Sequence, residues 1–140
     1  MQKKIVALFL ITVLSVYCVP LWAQEPKEQA EQFLSDLMKG DVETAYDTIF
    51  AGTKMAELKP QAVSGLKTQT KSVFPLYGTP FAYEIIHNEN LSPSLQRIVY
   101  ILKFDLTPTT WEFYFYKARD KWTLNKITFY DQFQNIAPMK

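Results

Sequence analysis

One histidine, one cysteine and four glycines are all that this chain of 140 residues holds of three residue types on which much enzyme chemistry rests. Each scarcity excludes something. With His87 the lone imidazole and Cys18 the lone thiol, a zinc site of His and Cys ligands cannot be assembled within one subunit. A nucleophilic triad would have to recruit that same His87, and no Gly-x-Ser-x-Gly elbow offers it a serine. The few glycines form no phosphate-cradling loop of either standard spacing. An excess of one charge is missing as well. The 15 Lys and Arg face 14 Asp and Glu without a basic cluster, so the electrostatic footprint of a nucleic-acid binder is absent. Neither a metal, a cofactor nor a nucleic-acid partner is expected.

Acidic residues are absent from residues 1–23, where Lys3 and Lys4 precede an uncharged apolar run from Ile5 to Val19 and the segment closes on Pro20-Leu21-Trp22-Ala23. These are the n-region, h-region and small-residue exit of a secretory signal peptide, with cleavage expected after Ala23. The run is shorter than the roughly 20 residues a membrane-spanning helix needs, so no stable membrane insertion is expected once it is removed. The protein is therefore expected to be exported, to the periplasm or out of the cell, as a single domain over 24–140. Cleavage takes Cys18 with it. The exported chain then has no thiol to pair in a compartment that would permit disulfides, and packing alone must hold it together.

Aromatic residues are plentiful, and so is periodicity. Glu28–Lys39 carries Ala30, Phe33, Leu34, Leu37 and Met38 at helical spacing, and Gly40 stops it. Asp41 is placed to cap a second helix, Val42–Phe50, with Val42, Ala45, Tyr46, Ile49 and Phe50 on its apolar side. Pro60 suits the first turn of a third helix, which Val63, Leu66, Thr70 and Val73 carry to about Val73. The following Phe74-Pro75-Leu76-Tyr77-Gly78-Thr79-Pro80 is predicted to leave the helix, because proline removes a backbone donor and restricts its predecessor.

Four alternating runs complete the chain: Phe81–Asn88, Leu95–Leu106, Thr110–Lys117 and Trp122–Tyr130. In the first, Phe81, Tyr83, Ile85 and His87 share one face, and Asn88–Ser94 reads as a polar loop. In the second, Ile98, Tyr100, Leu102, Phe104 and Leu106 form a wholly apolar face opposite Arg97, Val99, Ile101, Lys103 and Asp105. Trp111, Phe113 and Phe115 do the same in the third, opposite Glu112, Tyr114 and Tyr116. The last run changes phase between Leu124 and Ile127, which a bulge near Asn125 would produce. Helices first and an antiparallel meander second predict an α+β fold, with three N-terminal helices packed on a four-stranded sheet. The sheet's other face keeps Val99, Ile101, Tyr114 and Tyr116 among its charges, and such a patch points to a homodimer formed sheet to sheet.

Phe33-Leu34, Gly40-Asp41 with Ala45-Tyr46, Gly78-Thr79-Pro80-Phe81 and Lys121-Trp122-Thr123-Leu124 together give the chain a pattern that resembles the nuclear-transport-factor-2-like (NTF2-like) superfamily. The similarity runs from about Glu28 to Phe133. It implies a cone, in which a curved antiparallel sheet wraps the N-terminal helices, and within the superfamily the chain looks most like small exported bacterial proteins. Enzymatic members place Asp, His or Tyr in the cone's pocket, but no motif here carries such a role over residue by residue.

Acid–base chemistry is the catalytic option that survives, with His87, Tyr83 and Tyr46 as donors and Asp47 as base in a cofactor-free isomerase, dehydratase or cyclase. Alternatively Tyr46, Tyr83, Tyr100, Phe104, Trp111 and Phe113 line an apolar ligand pocket. The expectation is an exported, non-enzymatic, homodimeric binding domain, with a small apolar ligand or an envelope protein as partner. A structural accessory subunit is the remaining alternative.

Overall fold

A computed structural model describes residues 24–132 of the chain. The expected signal segment, Cys18 included, and residues 133–140 lie outside the described residues. Helix α1, Pro26–Met38, starts on a proline whose missing N–H falls where a helix has no carbonyl to offer it. Its end is fixed by the left-handed Gly40 (φ 78), which lets Gly40 N–H bond Leu37 O at 2.9 Å and Asp41 N–H bond Asp36 O at 3.0 Å. Asp41 then caps α2, Val42–Ile49, its Oδ1 accepting from Thr44 N–H at 3.0 Å as the sequence predicts. A single helical turn, α3 (Met55–Leu58), precedes α4 (Pro60–Tyr77).

Helix α4 runs past the predicted exit near Val73 and contains Pro75. The proline costs little there, because the carbonyl it leaves unpaired belongs to the exposed Lys71, where water can satisfy it. Tertiary contacts hold the last turn in place. Phe74 and Tyr77 each lie 6.1 Å from Phe104, and the Tyr77 hydroxyl donates to Asp131 Oδ2 at 2.8 Å.

The sheet is an antiparallel meander of β1 (Ala82–Ser92), β2 (Leu95–Lys103), β3 (Thr109–Lys117) and β4 (Trp122–Tyr130), in the spatial order β1-β2-β3-β4. Two boundaries differ from expectation. The segment Asn88–Ser94 is not a loop: β1 continues to Ser92, and only Pro93 and Ser94 turn the chain. Its polar residues suit an edge strand in water, where Asn88 Oδ1 accepts from Gln96 Nε2 at 2.7 Å. Leu106 is not on the apolar face either. Strand β2 ends at Lys103, and Leu106 lies in the bend before Pro108 with 72% of its surface exposed.

Three bulges set which side chains face the helices. Ile86 and Leu91 on β1, and Asn125 on β4, each lack a partner where the neighbouring strand advances without a gap. The Asn125 bulge is the one the phase change foretells, and it brings Trp122, Leu124, Ile127 and Phe129 onto one face. Helix α1 packs on β2 and β4 over that inner face. Phe33 is its centre, with ring centroids 5.0 Å from Tyr46, 5.4 Å from Trp111 and 5.6 Å from Phe113.

Candidate functional site

The six residues expected to line a pocket pack together between the helices and the inner face of the sheet. Tyr46, Tyr100, Phe104, Trp111 and Phe113 are all buried in one cluster, and the half-buried Tyr83 closes its edge at 5.8 Å from Tyr100. Most rings meet edge to face or stacked, Trp111 lying 4.6 Å from Phe129, while Phe33–Trp111 and Phe74–Phe104 are tilted. None of the six lines a described cavity. The sequence pattern could not separate a lined void from a packed core, since both need the same apolar rings at the same spacing.

The acid–base candidates are not brought together. The Ile86 bulge reverses the alternation of β1, so His87 pairs with Val99 on the outer face while Tyr83 pairs with Leu102 on the inner one. The two residues expected on one face are therefore on opposite sides of the sheet. His87 Nε2 sits 2.9 Å from Glu89 Oε2, on its own strand. The Tyr46 hydroxyl is spent on Thr70 Oγ1 at 2.8 Å, and burial pushes its pKa up to about 12. Tyr100 is likewise raised, first by burial and then by Glu31, whose Oε1 accepts its hydroxyl at 3.2 Å. Asp47 is exposed on α2 and bonds Lys67 Nζ at 2.7 Å. Beside it, hydrogen bonds from Lys67 and Lys71 hold the Glu43 carboxyl down to about 2. Among the described residues no three of His, Cys, Asp and Glu gather as ligands of a cation would, and no helix is long and apolar enough to cross a membrane.

The outer face is the more open surface. Val99, Ile101, Tyr114 and Tyr116 all lie on it, as the alternation predicts. Val99 is fully buried, between His87 and Glu112 on the flanking strands. Arg97 makes a two-pronged contact with Glu112, at 3.3 Å from Nε and 3.2 Å from Nη2. Burial, and then the bond from its hydroxyl to Glu112 at 3.1 Å, push the Tyr114 pKa up. Opposite each other at the hairpin end, Leu95 and Tyr116 remain 40% and 42% exposed. The same face carries Arg97, Lys103 and Lys126 against Glu84, Glu89 and Glu112.

A second feature escapes sequence reading altogether. Between the start of α1, the end of α2 and the start of β4 a narrow cleft is lined by Gln24, Gln29, Gln32, Ile49, Ala51 and Trp122, with Thr48 and Lys121 beside them. Gln29 ties it together, its Nε2 donating to Gln24 O at 2.9 Å and to Trp122 O at 3.3 Å. The enclosed space is about 20 Å³, enough for one water and too small for an apolar molecule. No local spacing signals it, because α1 and the start of β4 meet only through the tertiary fold.

A solved structure from Campylobacter jejuni, provisionally named an NTF2-like transpeptidase, is similar to this chain with a TM-score of 0.54 and 13% identity, over 72% of this chain and 97% of that one. No protein-family model matches the sequence, and no curated protein does. At that identity the likeness is one of fold. The fold is NTF2-like: α+β, with helices N-terminal to a four-stranded antiparallel sheet.

Proposed function

From an NTF2-like fold with a filled interior, we propose an exported, non-enzymatic interaction domain that acts as a homodimer through the outer face of its sheet. The observation that carries this reading is the composition of that face. Ile101, Tyr114, Tyr116 and Leu95 supply apolar surface, and three basic residues alternate with three acidic ones around them. A two-fold interface must be complementary to itself, and a face with both signs in equal number can set each charge against its opposite. A single-signed face could not.

The filled interior supports surface contact over chemistry inside the cone, and it favours a second copy or an envelope protein over a small apolar ligand. The isomerase, dehydratase or cyclase reading loses its geometry, since His87, Tyr83, Tyr46 and Asp47 occupy four separate surroundings. The Campylobacter protein's provisional name does not carry over, because fold likeness brings no activated nucleophile with it. Export, by removal of 1–23, belongs to the same proposal.

Native mass spectrometry of the exported protein tests the whole reading. A dimer is expected, and Ile101→Asp, which buries a charge in the interface, is expected to halve the mass while the circular dichroism stays unchanged. A wild-type monomer, or an Ile101→Asp protein that keeps the dimer mass, overturns the outer face as the interface. Extra small-molecule mass on the wild type would overturn the filled-interior reading instead.

A further inference from the structure

We propose that the groove between α4 and the end of β4 is the docking site of the chain's own C-terminal segment, residues 133–140. One wall is the face of α4 that carries Gln69, Val73 and Leu76 at helical spacing, and the other is Phe129 and Tyr130 with Asp131 just beyond them. The groove holds about 430 Å³, within the roughly 300–1,000 Å³ of clefts that take drug-sized molecules. Among the described residues nothing closes it: Leu76 keeps 65% of its surface exposed and Tyr130 44%. Covering these side chains removes apolar surface from water, which is favourable.

The occupant follows from where the chain is delivered. The Tyr77 hydroxyl donates to Asp131 Oδ2 at 2.8 Å and ties the exit from β4 to the last turn of α4, so the segment begins two positions after a residue of the groove's own wall. Seven residues of helix separate Leu76 from Gln69, about 10 Å. Eight residues reach up to roughly 26 Å when extended, enough to run the length of that wall. Composition suits the walls as well. Phe133, Ile136 and Met139 place an apolar side chain at every third position, and Lys140 carries the segment's single charge. Asp131 is the one charged residue of the lining, and it stays exposed, so no ion has to be stripped of water when the segment enters. A separate molecule of the same chemistry would lose its freedom to drift and tumble on binding, a cost largely spared a segment tethered beside the wall.

Disulfide trapping tests the docking. In a Cys18→Ser chain, which has no native thiol left, Ser72→Cys on the α4 wall is paired with Ala137→Cys in the segment. Mild oxidation is expected to join the two within one chain, at least about tenfold faster than it joins a control pair of Asp120→Cys and Ala137→Cys. Asp120 lies in the bend before β4, at the opposite end of that strand from Tyr130 and beyond the segment's reach. Equal rates for the two pairs would overturn the docking. A link from Ser72→Cys that forms only between chains would also overturn it and give the groove to a second copy. Adding Leu76→Asp, at a position already open to water, is expected to slow the first link to the control rate, and an unchanged rate would overturn the apolar groove as what holds the segment.

Discussion

The two faces of this sheet are built from the same residue classes and do opposite work. On the inner face, Tyr100, Trp111, Phe113 and Phe115 are closed off by helices and by one another, and the polar atoms among them are spent on single partners such as Thr70 for Tyr46 and Thr109 for Trp111. On the outer face, Tyr114 stands between Arg97 and Lys126 and bonds Glu112, while Tyr116, between Leu95 and Thr123, stays exposed. Aromatic content alone therefore says nothing about which surface is available. What decides is whether a second layer of the same chain covers the face.

The sharpest way to break that contrast is Phe33→Ala. Phe33 touches Tyr46, Trp111 and Phe113, so in a filled interior its removal is expected to cost about 3–5 kcal/mol in denaturant unfolding. A loss under about 1 kcal/mol would mean that the rings surround a void which can collapse.

Tyr46→Phe sharpens the inner face further, because it leaves the Thr70 hydroxyl buried without its partner and is expected to cost about 1–2 kcal/mol near neutral pH. The pH dependence has a definite sign. Burial raises the folded-state Tyr46 pKa to about 12, above the ordinary value of about 10 for an unfolded chain. The folded form then keeps a proton the unfolded form has lost, and this share of stability, present below pH 10, falls away as pH rises toward 12. The gap between wild type and Tyr46→Phe should narrow over that window; an equal gap at pH 9 and pH 11.5 would contradict the buried hydroxyl.

On the outer face a polar deletion should have the opposite sign. Thr110 is buried there and its Oγ1 has no hydrogen-bond partner among the described residues, so Thr110→Val is expected to stabilise by about 1 kcal/mol. A destabilised valine variant would reveal a partner for the hydroxyl. Smallest of all, Tyr116→Ala, measured at a dilution where the chain is monomeric, should shift unfolding by less than about 0.5 kcal/mol. A shift as large as that of Phe33→Ala would erase the distinction between the faces.

How much of this was legible from sequence depends on where apolar residues happen to fall. In β4 the bulge could be read because Leu124 and Ile127 stand on either side of Asn125 and both must reach the core. The equivalent bulge at Ile86 could not, since β1 is an edge strand whose next residues are His87, Asn88, Glu89 and Asn90, with no apolar side chain to betray the change of phase. That single silent residue moves His87 to the outer face, away from Tyr83, while Tyr46 and Asp47 stand apart on α2. Helix ends show the same division. The stop at Gly40 and the cap at Asp41 are local chemistry and were readable, whereas the passage of α4 through Pro75 depends on Phe104 and Asp131, far along the chain.

The three bulges share one more property: all lie on β1 or β4, the two outermost strands among the described residues, and none on β2 or β3. A strand interrupted in this way cannot present an unbroken row of donors and acceptors, so an extended segment from another molecule finds no template to zip onto. If the chain is exported and self-associates as proposed, that irregularity keeps association off the sheet's rims, where fibrils grow, and leaves the broad face for contact between copies.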